Sequence, residues 1–329
     1  MIDPAAGNRQ QAIGNRERGT RERPHNAVGD GAPVPPCAAS NAAGRVILRE
    51  TAYGKLNLTL DILGRRPDGY HDLEMVMCSV SIADEVRLML GTGQPWTVVC
   101  GTDGIPDGPD NLCWKAARAY LGAAGCDPGG LRIEIRKTIP AQAGMAGGSA
   151  DAAAVLRALN RHYGCFSEAQ LRALGLTVGS DVPYCLFGGM ALAQGRGEIL
   201  TRLPALPENA CFVLVKPEFA VSTPALFRRI DAVGVTRRPD NAAMVAALED
   251  GDLPAIGRLL QNAFEPAVSE DWPVVQEIRA ALLQNGALGA RLTGTGSVVF
   301  GLFDSRNTAE QAAQNLENRF GTVYAASAV

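Results

Sequence analysis

The 329-residue sequence contains no apolar stretch as long as the roughly 18 residues that a membrane-spanning helix needs. It has only three histidines, and none of its eight cysteines forms a Cys-x-x-Cys pair. A structural zinc site is therefore not expected, and the cysteines are interpreted as reduced, buried thiols of a cytoplasmic protein. The net charge of −3 and the pI near 5.7 provide no basic surface for nucleic acid.

The length and the hydrophobic content of the chain are sufficient for a large core. With 47% hydrophobic residues, a chain of this length is expected to form two domains. Two prolines mark a linker at 203–209, so we predict domains at 46–204 and 205–329. Strands are predicted at about 46–62, 74–80, 85–90, 131–136 and 211–216. Strands and helices mix without a regular βαβ repeat, which favours an α+β fold over a doubly wound parallel sheet.

Residues 1–45 differ in composition from the rest of the chain. They are rich in Ala, Gly, Pro, Asn and Arg and include a mixed-charge run at 16–23. Such a segment buries too little apolar surface to offset the entropy lost on ordering. We therefore interpret it as a disordered extension or an over-long predicted start. It has no hydrophobic stretch for a secretory signal, and its four acidic residues and single serine disfavour a plastid transit peptide.

A glycine-rich stretch that leads into a helix is the most informative segment. Residues 139–151 read Ile-Pro-Ala-Gln-Ala-Gly-Met-Ala-Gly-Gly-Ser-Ala-Asp, and a helix is predicted over 149–161. Glycines let the backbone approach a ligand closely, and a helix N-terminus offers unpaired N–H groups and a positive dipole end. The stretch is predicted to cradle phosphate. Taken alone it also fits a tight connection, and it lacks the Gly-Lys-Ser/Thr of a Walker motif.

Two other segments accompany the glycine-rich stretch. An alternating strand at 52–60 places Lys55 and Asn57 on one face, and a Thr-Gly-Thr-Gly turn at 293–296 enters an apolar strand. The order of these three segments resembles that of the GHMP kinases, the family of galactokinase, homoserine kinase and mevalonate kinase. The similarity runs from about Val46 to the end of the sequence.

Two further motifs, at 64–73 and 176–184, resemble one branch of that family. This branch phosphorylates the 2-hydroxyl of a cytidine-diphosphate-linked methylerythritol in non-mevalonate isoprenoid precursor synthesis. The resemblance implies ATP and Mg²⁺, this small-molecule substrate, and an α+β two-domain fold with its active site in the cleft between the domains. It implies no nucleic-acid or membrane partner and leaves monomer and weak dimer open. Another kinase of the family, such as one for mevalonate, or a member that binds without turnover, remains an alternative.

The resemblance assigns catalytic roles to Lys55 and Asp181. Asp181 faces the acceptor hydroxyl as general base or orienting group, and Lys55 keeps it ionised and stabilises developing charge. An isolated Gly-Ser-Asp is more often a turn or a helix cap. The catalytic assignment therefore depends on the two residues lying in separate matching motifs. Homoserine kinases of the family lack this aspartate, which argues against that branch.

The nucleotide phosphates are expected on the glycine-rich loop, with the Ser149 hydroxyl near the phosphates or Mg²⁺. The residues assigned to the nucleotide are Asn111, Lys137, Gly144, Met145, Ala146, Gly147, Gly148, Ser149 and Asp151. Three of them have structural alternatives: Asn111 as a helix cap, Lys137 as a solvated strand end and Asp151 as a first-turn acid.

The loop departs from the common family pattern at two positions. Ala146 stands where a glycine is usual, and Ala150 stands where a second serine often occurs. We expect Ala146 to adopt a backbone conformation without strongly positive φ, because alanine carries a Cβ. Ala150 removes one possible hydroxyl contact, and neither change affects Ser149.

Acceptor recognition is assigned to a third group of residues. These are Asn57, Tyr70, His71, Thr223, Phe227, Thr293 and Gly294. The resemblance implies a cytosine ring sandwiched between Tyr70 and Phe227, with His71 at its hydrogen-bonding edge. The alternatives are a packing role at a hairpin edge for Tyr70, a core position for Phe227 and a purely structural tight turn at 293–296.

Deletion of residues 1–40 is expected to leave the kinase activity and the melting temperature unchanged, because a polar, Gly- and Pro-rich segment has little surface to bury. Thermal unfolding and ADP release by the full and shortened chains test this prediction. A fall of several degrees in melting temperature would show that the segment docks on the domain.

Overall fold

The computed structural model describes residues 45–329, so the extension predicted for 1–45 lies outside the described residues except at its last position. The strands are β1 (Val46–Arg65), β2 (His71–Leu90), β3 (Thr97–Val99), β4 (Leu131–Arg136), β5 (Ala191–Gly195), β6 (Ile199–Arg202), β7 (Cys211–Lys216), β8 (Gln261–Asn262), β9 (Gly289–Leu292), β10 (Val299–Phe303) and β11 (Thr322–Ser327). The helices are α1 (Leu112–Ala124), α2 (Gly147–Tyr163), α3 (Glu168–Val178), α4 (Val182–Phe187), α5 (Thr223–Val233), α6 (Asn241–Glu249), α7 (Leu253–Leu259), α8 (Glu265–Asp271), α9 (Val274–Gln284) and α10 (Arg306–Phe320). No described helix is long and apolar enough to cross a membrane.

The strands form two sheets. In the larger sheet the order is β3-β4-β2-β1-β8, and β5 pairs with β2 and β6. The smaller sheet has the order β11-β7-β10-β9 and is antiparallel throughout. Most pairs of the larger sheet are antiparallel, and only β1–β8 and β3–β4 are parallel. The α+β prediction is therefore confirmed.

Most predicted elements occur with small shifts in their bounds. The predicted strands at 131–136 and 211–216 coincide with β4 and β7. The separate strands predicted at 74–80 and 85–90 are instead one strand, β2, because it continues through a register shift opposite Tyr53 and Gly54. β8 follows the predicted linker in sequence yet pairs with β1, and the division of domains at 204 stays a prediction.

Alanine positions α2 close to the larger sheet. Ala150, Ala152, Ala153 and Ala154 are all at most 1% exposed, and α2 contacts β1, β2 and α1. Small side chains allow a helix backbone to approach its neighbours closely. The glycine-rich loop that precedes α2 is also held against β1, by the hydrogen bond from the Lys55 N–H to the Met145 carbonyl oxygen.

Several cysteines lie in the core. Cys78 and Cys113 are free and buried, and burial raises the pKa of Cys78 to about 12. Such thiols remain protonated at neutral pH and behave as small apolar residues.

The backbones of α7 and β9 are in direct contact at Gly257 and Gly289. A Cβ placed on Gly289 would overlap with the carbonyl oxygen of Gly257, and a Cβ on Gly257 would lie 2.7 Å from the Leu288 carbonyl oxygen. Both of these neighbouring atoms are backbone carbonyl oxygens, which cannot move aside as the end of a flexible side chain can. Only glycine fits at both positions.

Gly289→Ala is expected to lower the free energy of unfolding by about 3 kcal/mol, since an added methyl group in a closed backbone contact forces a backbone shift. Gly122→Ala is the matched control, because a Cβ there meets nothing within 4 Å. It lies in α1, where alanine should raise stability by about 0.5–1 kcal/mol. Denaturant midpoints measure both effects, and equal midpoints for the two variants would contradict this packing argument.

Candidate active site

Lys55 is a buried lysine on β1. It is 4% exposed, and its Nζ donates a hydrogen bond to Asn57 Oδ1 at 2.6 Å, which confirms that the two residues share a strand face. Burial lowers the pKa of Lys55, while the negative charge of Asp181 acts in the opposite direction. Lys55 is thus a poorly solvated ammonium group with a carboxylate within electrostatic range.

Asp181 occupies the N-cap position of α4, but its side chain makes no capping hydrogen bond. The residue is half-buried and lines the same cavity as Lys55. An aspartate at an N-cap ordinarily binds the first N–H groups of its helix. Here the helix does not use the carboxylate, so it is available to a ligand.

The glycine-rich loop between β4 and α2 has an unusual backbone. Gly144 has a φ of 74°, and the non-glycine residues Gln142 and Ala146 have φ values of 52° and 58°. The expectation that Ala146 avoids positive φ is wrong. Ala146 is the N-cap of α2, and its carbonyl oxygen must accept the Ala150 N–H at 2.9 Å directly after the turn. A left-handed conformation costs an alanine about 1 kcal/mol.

Contacts with β1 stabilise the loop in this conformation. The Lys55 N–H donates to the Met145 carbonyl oxygen at 3.1 Å, and the Met145 side chain is 1% exposed. These contacts offset the strain at Ala146. They also fix the N-terminus of α2 relative to the ammonium group of Lys55.

A cavity of about 340 Å³, called the loop cavity here, lies over the N-terminus of α2. All nine residues assigned to the nucleotide line it: Asn111, Lys137, Gly144, Met145, Ala146, Gly147, Gly148, Ser149 and Asp151. The first N–H groups of a helix have no partner within the helix. The cavity therefore offers hydrogen-bond donors and a positive dipole end to an anion.

Lys137 is not a solvated strand end. Its ammonium group binds Asp84 and, at 2.7 Å, Asp151 Oδ2, and its side chain is only 7% exposed. Burial lowers the pKa of Lys137, but the two carboxylates outweigh this effect, and the net pKa is raised. The three side chains form a buried ionic triad at the wall of the loop cavity.

Asp151 is the fifth residue of α2 and does not lie in its first turn. Burial raises its pKa to about 7, with Lys137 acting against this and Asp84 adding to it. Its Oδ1 is buried without a hydrogen-bond partner among the described residues. Two carboxylates compete here for one lysine, so the triad carries a net negative charge when both are ionised.

Asn111 has the capping role that was its structural alternative. Its Oδ1 accepts the Cys113 N–H at 2.8 Å, and its Nδ2 donates to the Pro106 carbonyl oxygen at 2.8 Å. The residue also lines the loop cavity. A role towards the nucleotide stays a prediction.

A second cavity of about 640 Å³, called the cleft cavity here, adjoins the loop cavity at Gln142, Gly144 and Ala146, which line both. Most residues assigned to catalysis and to the acceptor line it: Lys55, Asn57, Tyr70, His71, Asp181, Thr223, Phe227 and Gly294. Thr293 does not. It is fully buried, and its Oγ1 accepts the Asn57 N–H at 3.0 Å.

The aromatic end of the cleft cavity is partly closed by its own side chains. The Arg196 guanidinium lies 3.6 Å from the ring centroid of Tyr70, which is 50% exposed. Phe227 stacks on His71 with ring centroids 4.4 Å apart, and its edge meets Phe264 at 4.9 Å. The predicted sandwich of a base between Tyr70 and Phe227 stays a prediction.

Sequence reasoning missed several charged residues of the cleft cavity. They are Arg65, Arg196, Arg228 and Asp231. Arg196 lies between two glycines in a turn, where the sequence contains no sign of a ligand. Asp231 had a usable signal, because it follows Phe227 by four residues and therefore shares its helix face.

Comparisons with known proteins agree with this arrangement. The family model described as "GHMP kinases N terminal domain" matches residues 111–189, and the model described as "GHMP kinases C terminal" matches 244–322. The 4-diphosphocytidyl-2-C-methyl-D-erythritol kinase of Geobacter sulfurreducens is 40% identical over 82% of this chain and 94% of its own length. The enzyme of the same name from Pelotomaculum thermopropionicum is 44% identical over 82% of this chain and 93% of its length.

Solved structures give the same result. A crystal structure of 4-(cytidine 5'-diphospho)-2C-methyl-D-erythritol kinase is 34% identical, with a TM-score of 0.72, over 85% of this chain and 99% of that one. The crystal structure of homoserine kinase from Cytophaga hutchinsonii matches with a TM-score of 0.69 over 86% of this chain and 95% of that one. Its sequence is 23% identical, so this match supports the fold alone. The family models, the full-length relatives and the fold agree: this chain resembles the 4-diphosphocytidyl-2-C-methyl-D-erythritol kinases and belongs to the GHMP kinase family.

Proposed function

We propose that this chain transfers the γ-phosphoryl group of ATP to the 2-hydroxyl of 4-diphosphocytidyl-2-C-methyl-D-erythritol, in non-mevalonate isoprenoid precursor synthesis. The observation that carries the proposal is the junction of two cavities at the glycine-rich loop. The loop cavity offers a helix N-terminus for nucleotide phosphates. The cleft cavity offers Lys55 and Asp181, and it is also lined by the side chains of Tyr70, His71 and Phe227.

The chemistry follows from the positions of these groups. The acceptor oxygen attacks the γ-phosphorus, the bond from that phosphorus to the β,γ-bridging oxygen breaks, and ADP leaves. Asp181 accepts the hydroxyl proton, since its carboxylate is not engaged by α4. Lys55 supports the ionised aspartate and the charge that develops on the transferred group.

Magnesium is proposed to accompany the nucleotide. The described residues contain no cluster of three or more His, Cys, Asp or Glu side chains that could hold a metal ion. Mg²⁺ bound to phosphates keeps several waters and needs only one or two protein oxygens. The Ser149 hydroxyl, which lines the loop cavity, fits this need, and the metal would neutralise phosphate charge.

Two features favour the cytidyl acceptor over other substrates of the family. Tyr70, His71 and Phe227 together line one end of the cleft cavity and suit a flat base with a polar edge. The full-length relatives with this name support the same choice. The buried reduced thiols support the expected cytoplasmic location.

A coupled ADP-release assay with three acceptors tests the proposal. The cytidyl acceptor, mevalonate and homoserine are each supplied with ATP and Mg²⁺. Turnover with the cytidyl acceptor alone is expected. Turnover with mevalonate would transfer the proposal to another kinase of the family, and ATP binding without turnover on any acceptor would favour a non-catalytic member.

Asp181→Asn is expected to lower kcat by roughly 10²–10⁴ while ATP binding and melting temperature stay close to those of the parent, as for loss of a positioned acid–base group. Asp240→Asn is the matched control, because Asp240 is an N-cap aspartate whose side chain does bind its helix and asparagine caps equally well. A kcat for Asp181→Asn within about threefold of the parent would rule out the base assignment.

Tyr70→Ala and Phe227→Ala are expected to raise the KM of the acceptor by roughly tenfold or more without affecting the KM of ATP, because stacking on a base contributes about 1–3 kcal/mol. His71→Ala should act similarly through its hydrogen bond. Phe320→Ala is the control, since Phe320 is a partly buried ring on α10. An unchanged acceptor KM with reduced thermal stability in both ring variants would identify these rings as core residues.

A further inference from the structure

Asp231 contacts His71 at the edge of the cleft cavity. His71 Nε2 lies 2.7 Å from Asp231 Oδ1, and both residues line the cavity. The His71 side chain is 8% exposed and that of Asp231 is 30% exposed. This is a hydrogen bond of normal length in a largely dry setting.

A single face of α5 makes this contact. Phe227 and Asp231 are four residues apart on the helix, so their side chains project in the same direction. Phe227 stacks on the imidazole with an interplanar angle of 19°, while Asp231 binds its Nε2. The stack fixes the plane of the imidazole, and the hydrogen bond fixes its rotation within that plane.

The contact also determines where the imidazole proton lies. A carboxylate only accepts hydrogen bonds, so Nε2 must carry a proton. Arg65 Nη1 lies 3.9 Å from Asp231 Oδ2 and supplies a positive charge to the carboxylate. The carboxylate therefore does not need a protonated, positively charged imidazole as its counter-ion. Among the described residues, the hydrogen bond of the imidazole is the one at Nε2, and Nδ1 has no protein partner.

We propose that Asp231 is a positioning residue that holds His71 in the Nε2–H tautomer and leaves Nδ1 as a hydrogen-bond acceptor for the base in the cleft cavity. An acceptor at this position pairs with the amino group at N4 of cytosine and not with the carbonyl oxygen at C4 of uracil. Asp231 thereby determines the preference for a cytidyl over a uridyl acceptor. This specificity rests on the proposed function, whereas the tautomer does not.

The tautomer is measured directly by ¹⁵N NMR of the ¹⁵N-histidine-labelled protein without nucleotide. The chain has only three histidines, and a His71→Gln variant identifies the signal of His71. The expected spectrum has a protonated Nε2 and an unprotonated Nδ1 in the parent. Asp231→Ala should give a mixture of tautomers, and Asp231→Asn, whose amide oxygen can still accept the Nε2–H, should retain most of the parent state.

The specificity is measured by titrating CDP and UDP into the same proteins. The parent is expected to bind CDP more tightly than UDP, and Asp231→Ala should lower this preference by roughly tenfold, mainly through weaker CDP binding, as expected for one hydrogen bond. With the full acceptor, KM should rise by a similar factor and kcat should change little. Glu270→Ala is the control, because this exposed carboxylate binds Arg229 of α5 away from the cavity.

Two results would overturn the proposal. One is a parent His71 with a protonated Nδ1. The other is an Asp231→Ala variant that keeps both the parent tautomer and the parent preference for CDP. A parent that has the expected tautomer but binds neither CDP nor UDP would contradict the cytidyl-acceptor function and not the role of Asp231 in fixing the imidazole.

Discussion

The backbone of Gly144 lies so close to the carbonyl oxygen of Thr293 that a Cβ on Gly144 would overlap with it. A Cβ on Gly294 would in turn lie 2.8 Å from the Gly144 carbonyl oxygen and 3.1 Å from Lys55 Nζ. This contact joins the glycine-rich loop, the Thr-Gly-Thr-Gly turn and the lysine strand. Because Gly144 also lines both cavities, the relative positions of the two cavities depend on it.

Two buried lysines near this contact have different electrostatic roles. Lys137 is bound to Asp84 and Asp151, so its charge is compensated and it ties α2 to β2. Lys55 has an amide oxygen as its hydrogen-bond partner and is only influenced at a distance by Asp181. A buried charge without a bonded counter-ion interacts strongly with any anion that approaches. This difference supports the proposal that Lys55, and not Lys137, acts on the reacting groups.

Local patterns were sufficient for some parts of the site and insufficient for others. The face shared by Lys55 and Asn57 follows from the two-residue period of a strand, and the structure confirms it. The backbone of Ala146 does not follow from its residue type, since contacts with β1 hold the loop in a left-handed conformation that alanine alone disfavours. In the sequence, the position of Lys137 also fits a solvated strand end. Its two carboxylate partners, Asp84 and Asp151, lie 53 residues before it and 14 residues after it, so the sequence pattern does not predict the pairing.

The sequence by itself determined the main strands and helices, the glycine-rich loop and part of the lining of the two cavities, because glycine spacing, strand alternation and helix capping are local properties. Only the tertiary structure decided which charges meet. The contact of His71 with Asp231 spans 160 residues, and Arg196 covers Tyr70 from a turn more than one hundred residues away in the sequence. Such pairs arise from the packing of elements that are distant in the sequence, and no local periodicity predicts them.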